Sequence, residues 1–194
     1  MLSRKMLSMK PPDRIVAGPI LLRRYRSADV DKLLVTINES LEHLSPWMPW
    51  AQEQNTRVGV ATFVAGCEDG WKAGSDFNYG IWSRNEEEFV GGCGLHARIG
   101  AGAIEIGYWI AQKHTRRGYA TRAARALIEA ALAMPTITRV EIHCDEANVH
   151  SAAVARALGY RLDRIQTDEI QAPGEIGREM VWVLPKGSAA KGSK

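Results

Sequence analysis

The stretch HTRRGYATRAARALIEAAL, running from His114 to Leu132, joins a basic loop to a helix-forming run. Within it, Thr115-Arg116-Arg117-Gly118-Tyr119-Ala120 follows the alternating segment AIEIGYWIA and precedes a chain rich in alanine. A junction of this kind is an anion site in outline. The first N–H groups of a helix have no partner inside it, and the positive end of the helix dipole lies behind them. Gly118 lets the backbone approach a phosphate closely, and small Ala120 keeps the next turn clear. Arg116, Arg117 and Arg122 can add charge-assisted bonds to phosphate oxygens. The loop is thus explained by a pyrophosphate seated on it. It follows neither G-x-x-x-x-G-K-[ST] nor G-x-G-x-x-G, which argues against a nucleoside triphosphate and a dinucleotide. On charge alone, a solvated basic loop before a surface helix explains the same residues equally well.

The elements that must position this loop read as follows. Residues 19–25 (PILLRRY) form a first strand. Ser27 caps a helix carrying Val30, Leu33, Leu34, Ile37, Leu41 and Leu44 at helical spacing, ended by Pro46 and Pro49. Val60, Phe63, Val64, Cys67 and Trp71 mark a second helix, weakened by Gly59 and Gly66. Three strands follow at 77–82, 88–96 and 103–111; the glycines of the middle one hint at bulges or close backbone approach. In the third, Ile104, Ile106, Tyr108 and Ile110 share one side, and Glu105, Gly107 and Trp109 the other. A third long helix covers about 118–134, with Ala120, Ala124, Leu127 and Ala131 buried and Pro135 as its stop. A strand at 139–145 comes next. Asn148 caps a short helix ending at Leu158 and Gly159, and strands at 160–166 and 178–184 complete the order β-αα-βββ-α-β-α-ββ. This is a mixed α/β arrangement.

The chain has 194 residues, enough for one domain with a sizeable core. Hydrophobic residues are 45% and charged residues 24%, as in ordinary soluble domains. A net charge of +3 is too small to argue for nucleic acid and fits a small anionic ligand equally well. The odd set Cys67, Cys93 and Cys144 contains no C-x-x-C pair and reads as reduced thiols of a cytoplasmic protein. No apolar run approaches membrane-spanning length, and MLSRKMLSMKPPDR lacks the apolar core of a secretory signal. The expected organisation is a flexible N-terminal arm at 1–17, a single domain at 18–185 and a disordered tail at 186–194. The five histidines show no ligand spacing, so no metal is expected; His143 and His150 read as surface positions that could border a cleft.

The loop, taken with Asn148-Val149-His150-Ser151 and Ala157-Leu158-Gly159-Tyr160, resembles the GCN5-related N-acetyltransferases. That family's acetyl-CoA loop reads Q/R-x-x-G-x-G/A; Thr115 departs from it, while Gly118 and Ala120 match. The segments N-x-x-S and LGF of the family are similar to 148–151 and 158–160. LSPWMPWA and IEIGYWI look like the branch that holds the ribosomal-protein N-terminal acetyltransferases. The resemblance covers about residues 18–184. It implies a single-domain α/β fold with a mixed, mostly antiparallel sheet splayed between its fourth and fifth strands (103–111 and 139–145) and flanked by about four helices.

The resemblance also implies a division of labour. Acetyl-CoA is the co-substrate. Its pantetheine borrows backbone bonds from Trp109, Ile110 and Ala111, and its pyrophosphate meets Arg116, Arg117, Gly118, Tyr119, Ala120 and Thr121. Asn148, besides capping its helix, holds pantetheine. An amine attacks the thioester directly, which needs a base, an oxyanion stabiliser and a proton for the thiolate. Glu105 is the candidate base, directly or through water; a carboxylate paired with an arginine is the alternative reading. Ser151 is the candidate proton donor, with Tyr160 as rival. Cys144 reads as a core thiol rather than a nucleophile. Trp71 and Trp82 read as core. Trp47 and Trp50, in the proline-stiffened SPWMPWA, are candidates for contact with the acceptor. Asp168, Glu169 and Glu175 could attract a cationic amine but read first as a solvated loop. The expected activity is acetyl transfer to a protein N-terminal amine. The alternatives are a small-molecule amine such as an antibiotic or polyamine, and a non-catalytic acyl-CoA sensor. Neither nucleic acid nor membrane is expected as partner, and a homodimer is a family-level expectation.

Overall fold

The computed structural model describes residues 10–187. Most of the predicted arm and tail therefore lies outside the described residues. The arm's last residues form a strand: β1 (Arg14–Ala17) turns at Gly18, whose φ is +63°, and pairs antiparallel with β2 (Ile20–Arg24).

The first predicted helix is divided. A 3-10 turn at Ser27–Asp29 leads into α1 (Val30–Asn38), and a single turn, α2 (Leu41–Leu44), follows. Ser27 makes no cap. Asp29 holds the turn instead, accepting from the Arg26 N–H at 2.7 Å and from both Arg23 Nη atoms at 2.8 and 2.9 Å. At the break, the buried Ser40 Oγ accepts from the Gln112 N–H, which ties this corner to the strand end beside the basic loop. Next, α3 (Arg57–Ala73) starts where Thr56 Oγ1 accepts from the Gly59 N–H, and stops at left-handed Gly74. The strands β3 (Asp76–Ser83), β4 (Phe89–His96) and β5 (Ala103–Ile110) form a meander. Then come α4 (Tyr119–Ala133), β6 (Arg139–Asp145), α5 (Val149–Ala157), β7 (Arg161–Thr167) and β8 (Arg178–Pro185).

These strands make one sheet in the order β1-β2-β3-β4-β5-β6-β8-β7. All neighbours are antiparallel except β5 and β6, which run parallel. Their pairing covers only Ala103–Arg139, Ile104–Val140 and Glu105–Glu141. Beyond those three pairs the strands separate, and β6 continues alone against β8. The extra N-terminal strand makes β5 and β6 the fourth and fifth strands of the sequence reading, so the expected splay is present.

Helices α1 and α3 cover one face through Leu33, Ile37, Val60 and Val64, packed on Leu21, Trp82 and Phe89. Ala124, Leu127 and Ala131 of α4 with Ala152 and Ala155 of α5 cover the other, on Ile104, Ile106 and Ile142. Trp71 and Trp82 are buried, as the sequence suggested. The glycines of β4 answer a packing need. A Cβ on Gly92 would stand 2.5 Å from Trp109 Nε1 and 2.6 Å from Tyr25 Oη. Among the described residues, no helix is long and apolar enough to cross a membrane.

Candidate active site

Where β5 and β6 part, a cleft of about 1230 Å³ opens through the sheet. The strand faces divide it into two halves. Ile106, Tyr108 and Cys144 belong to the α4/α5 face, with Ser151 and the start of α4. Glu105, Gly107, Trp109 and His143 belong to the opposite face, with the 46–51 segment and the β7–β8 loop.

On the α4 side, the basic loop is built as an anion cradle. Arg116 and Gly118 both take left-handed backbone, with φ of +59° and +72°. The Arg122 N–H closes the first helical bond, to the Gly118 carbonyl, at 3.1 Å. The N–H groups of Tyr119, Ala120 and Thr121 precede it and so lack helical acceptors. A Cβ at Gly118 would meet nothing within 4 Å, so open space lies over the loop. Arg116, Arg117 and Arg122 are exposed and form no ion pair among the described residues. Thr115, which departs from the family pattern, donates its hydroxyl to the Gln112 carbonyl at 2.9 Å and braces the preceding turn. His114 in that turn is buried and lines the cleft, and neither ring nitrogen has a partner among the described residues. Burial lowers its pKa and keeps the ring neutral.

The splayed edge supplies backbone groups to the same cleft. The Ala111 N–H donates to Val90 of the β3–β4 side, which fixes the alternation along β5. Trp109 and Ala111 therefore turn their amides toward β4, while Tyr108 and Ile110 turn theirs into the gap. Of the three backbone positions expected from sequence, Ile110 turns its amide into the gap, as does Tyr108. Ala111 and Arg117 do not line the cleft.

Asn148 caps α5: its Oδ1 accepts from the Ser151 N–H at 3.1 Å. This cap aims Ser151 at β5, where its Oγ lies 3.0 Å from the Tyr108 hydroxyl. Tyr108 was missed in the sequence, where alternation assigned it to the apolar side with the isoleucines. Burial pushes its phenol pKa up, so the hydroxyl keeps its proton. The rival Tyr160 is buried without a hydrogen-bond partner among the described residues and does not line the cleft. Cys144 lines the cleft half-buried, and burial raises its thiol pKa, which makes it a poor nucleophile.

On the other side, Glu105 is 7% exposed and faces the cleft with Gly107 and Trp109. Both its oxygens accept from Arg98, at 2.7 Å each. Burial would raise its pKa, but the Arg98 bonds and charge outweigh burial and hold it below the usual carboxylate range. The arginine-paired reading of this carboxylate is the one the geometry displays. His143, expected at the surface, is instead largely enclosed. Its Nε2 lies 2.8 Å from Glu141 Oε2 and its Nδ1 3.3 Å from Glu179 Oε1.

Two loops roof this half. Trp47, Met48 and Pro49 line it; Trp50 does not, and packs edge-on to Trp109 with ring centroids 5.6 Å apart. The Gly174 N–H donates to the Pro46 carbonyl at 2.9 Å, which fastens the β7–β8 loop to the 46–51 segment. Asp168 and Glu169 are exposed along the cleft. Glu175 is structural: its Oε2 accepts from the N–H groups of Gln171 and Ala172.

Comparison with known proteins agrees with this architecture. A family model described as an acetyltransferase (GNAT) domain matches residues 20–161. The chain is 36% identical over 84 residues to an uncharacterized N-acetyltransferase, YjdG, of Bacillus subtilis (strain 168), a match covering 43% of this chain and 50% of that relative. The chain thus spans half the length of that curated relative. Among solved structures, a ribosomal L7/L12 alpha-N-protein acetyltransferase, RimL, in complex with coenzyme A is similar with a TM-score of 0.81 at 22% identity, over 89% of this chain and 97% of that one. The microcin C7 self-immunity acetyltransferase MccE, in complex with acetyl-CoA and AMP, also gives 0.81, at 19% identity over 90% and 97%.

Proposed function

This chain belongs to the GNAT acetyltransferase family, and on that premise we propose that it transfers an acetyl group from acetyl-CoA to a protein N-terminal amine. One observation carries the reading: the unpaired Arg116 and the free N–H groups of the α4 cradle open into the same cleft as the β5–β6 gap and Ser151. A pyrophosphate is the ligand whose charge and size suit that cradle. The orphaned His114 ring and the gap-facing amides of Tyr108 and Ile110 are further polar groups that a bound pantetheine chain would approach. Acetyl-CoA supplies the acetyl group as a thioester.

The residues of the chain do the rest. Arg116, Arg117 and the first turn of α4 hold the phosphates, and Asn148 fixes the start of α5. Ser151, backed by the Tyr108 hydroxyl, delivers a proton to the departing sulfur. Glu105, fixed by Arg98, presents a permanent negative charge to an incoming ammonium; the ion pair favours that role over proton abstraction. The roofing segments at 46–51 and 168–177 contact the acceptor, Trp47 from within the cleft and Trp50 as a brace behind Trp109.

A small-molecule amine is the second reading, favoured by the equal likeness to the microcin C7 self-immunity acetyltransferase. The acceptor half lined by Glu105, Trp109 and Trp47 argues against a non-catalytic sensor. The test is thiol release from acetyl-CoA with a panel of peptides starting in alanine or serine, spermidine and an aminoglycoside. Turnover highest with the peptides supports the proposal. Turnover confined to the small amines moves it to the second reading, and no turnover with any amine overturns both.

A further inference from the structure

A histidine that the reading above leaves unused stands at the edge of the acceptor half. His96 ends β4, and the register sets it between Asp76 of β3 and Glu105 of β5, so its side chain shares the face of Glu105 and Gly107. Its Nδ1 lies 2.8 Å from Asp76 Oδ1. Burial alone would raise the Asp76 pKa, but the bonds from His96 and Ser75, with the Arg98 charge, outweigh it and hold the carboxyl below its usual range. An ionised carboxylate only accepts, so Nδ1 carries a hydrogen whether the ring is charged or neutral. The ring therefore gains or loses its second proton at Nε2. Among the described residues, no hydrogen bond or ion pair engages Nε2. The side chain is 16% exposed, so the ring is not sealed in the core. Two glycines seat it: a Cβ on Gly94 would stand 2.9 Å from Nε2, and one on Gly107 would stand 3.3 Å away. Gly107 lines the cleft beside Glu105, so Nε2 overhangs the acceptor half across a bare Cα.

We propose that His96 takes the proton from the acceptor ammonium at Nε2, over Gly107, with Asp76 as the positioning residue that holds the other ring nitrogen. The inference rests on the acetyl-transfer reading. Glu105, with both oxygens on Arg98, attracts the ammonium, and His96 beside it is the base. In the step, one ammonium N–H bond breaks and its proton passes to Nε2, leaving a neutral amine. The amine nitrogen forms a bond to the thioester carbonyl carbon, and the carbon–sulfur bond then breaks. The sulfur takes a proton from the Ser151 hydroxyl, which recovers one from the newly acylated nitrogen. The imidazolium is stabilised by Asp76 and Glu105 and returns its proton to solvent. The charged groups around the ring are Asp76 on β3, Arg98 in the β4–β5 turn and Glu105 on β5. Behind Asp76, on α3, burial pushes the Cys67 thiol up to about 12, so it stays protonated.

The test uses the full chain. Long-range proton–nitrogen spectra of the imidazoles, with the His96 signal identified by its loss in His96→Gln, are followed from about pH 5 to 9 without any acceptor. A ring that titrates at Nε2 while Nδ1 keeps its hydrogen supports the proposal. A neutral ring with its hydrogen on Nε2, or a ring that exchanges no proton in that range, overturns it. With the best amine of the panel, His96→Gln lowers kcat by roughly a hundredfold and flattens the rising limb of the pH profile. Its acetyl-CoA affinity and unfolding midpoint stay near those of the wild type. Asp76→Asn lowers kcat by roughly tenfold and moves the rising limb to lower pH, because the imidazolium loses its anion. A dyad that only braces β3 against β4 would lower the unfolding midpoint and leave the limb in place, and that result overturns the proposal. So does a kcat of His96→Gln within about threefold of the wild type, which removes this inference and leaves acetyl transfer standing. If the wild type turns over no amine, the acetyl-transfer reading falls and this one falls with it.

Discussion

Arg98 and Glu105 meet in a two-pronged ion pair, Nε to Oε2 and Nη2 to Oε1, both at 2.7 Å, on the wall of the cleft. The carboxylate is buried while the Arg98 side chain is 65% exposed, so the pair is one-sided in its desolvation. Removing the arginine strands a buried anion. Arg98→Gln is expected to destabilise the fold by about 1–2 kcal/mol at pH 7, less than a fully buried pair would lose because solvent reaches the guanidinium. The sign of the pH dependence follows from the lowered Glu105 pKa. The stabilisation is complete above the unfolded carboxylate value of about 4.3 and vanishes as pH falls through the folded value. Urea unfolding of both proteins at pH 7 and at pH 3 checks this; a gap that fails to narrow in acid contradicts it.

Gly118→Glu is expected to weaken acetyl-CoA binding at least a hundredfold. The new side chain enters the space over the cradle and sets a carboxylate against phosphate, on a backbone with φ of +72° that costs a non-glycine residue about 1 kcal/mol. Gly118→Asn tolerates that backbone better and adds no charge, so it should retain most of the affinity. Calorimetry with acetyl-CoA separates the two variants, and equal affinities for glutamate and glycine would refute the cradle.

Much of this loop was legible because it is local. Gly118, the Asn148 cap and the Gly159 stop are each set by neighbours within a few residues, and a glycine at positive φ or a capping side chain declares itself in sequence. The cross-sheet partners were not legible. Alternation grouped Glu105 with Gly107 and Trp109, as the strand does, but Arg98 reaches it across the β4–β5 turn, a relation no periodicity encodes. Tyr108 does lie on the isoleucine side, as alternation said. It lines the cleft only because β6 leaves β5 after three pairs. The partners of His143 were hidden for the same reason, since Glu141 and Glu179 lie on one strand and its antiparallel neighbour.

Ser151→Ala and Tyr108→Phe are each expected to lower kcat by roughly ten- to a hundredfold while leaving acetyl-CoA affinity nearly unchanged. Their hydroxyls form one pair, so the double variant should lose little more than the worse single one. Steady-state kinetics on all three, with calorimetry alongside, provides the check. Fully additive losses would mean that the two hydroxyls act separately.

Gly174→Ala tests the roof. A Cβ there would stand 2.5 Å from the Pro46 carbonyl oxygen, so the β7–β8 loop must move off the 46–51 segment. The expected result is a severalfold rise in KM for the acceptor with unchanged acetyl-CoA affinity. A KM equal to wild type would show that this fastening does not shape the acceptor half.

The early parting of β5 and β6 also bears on the order of events. In the proposed reaction, donor and acceptor reach the junction from opposite faces of one sheet, so neither lies in the other's path. Either can dock first, and the spent thiol can depart without waiting for the acetylated amine. Such a catalyst works through a ternary complex, and its double-reciprocal plots intersect instead of running parallel. A gap three residue pairs from the start of two strands thereby sets the rate law.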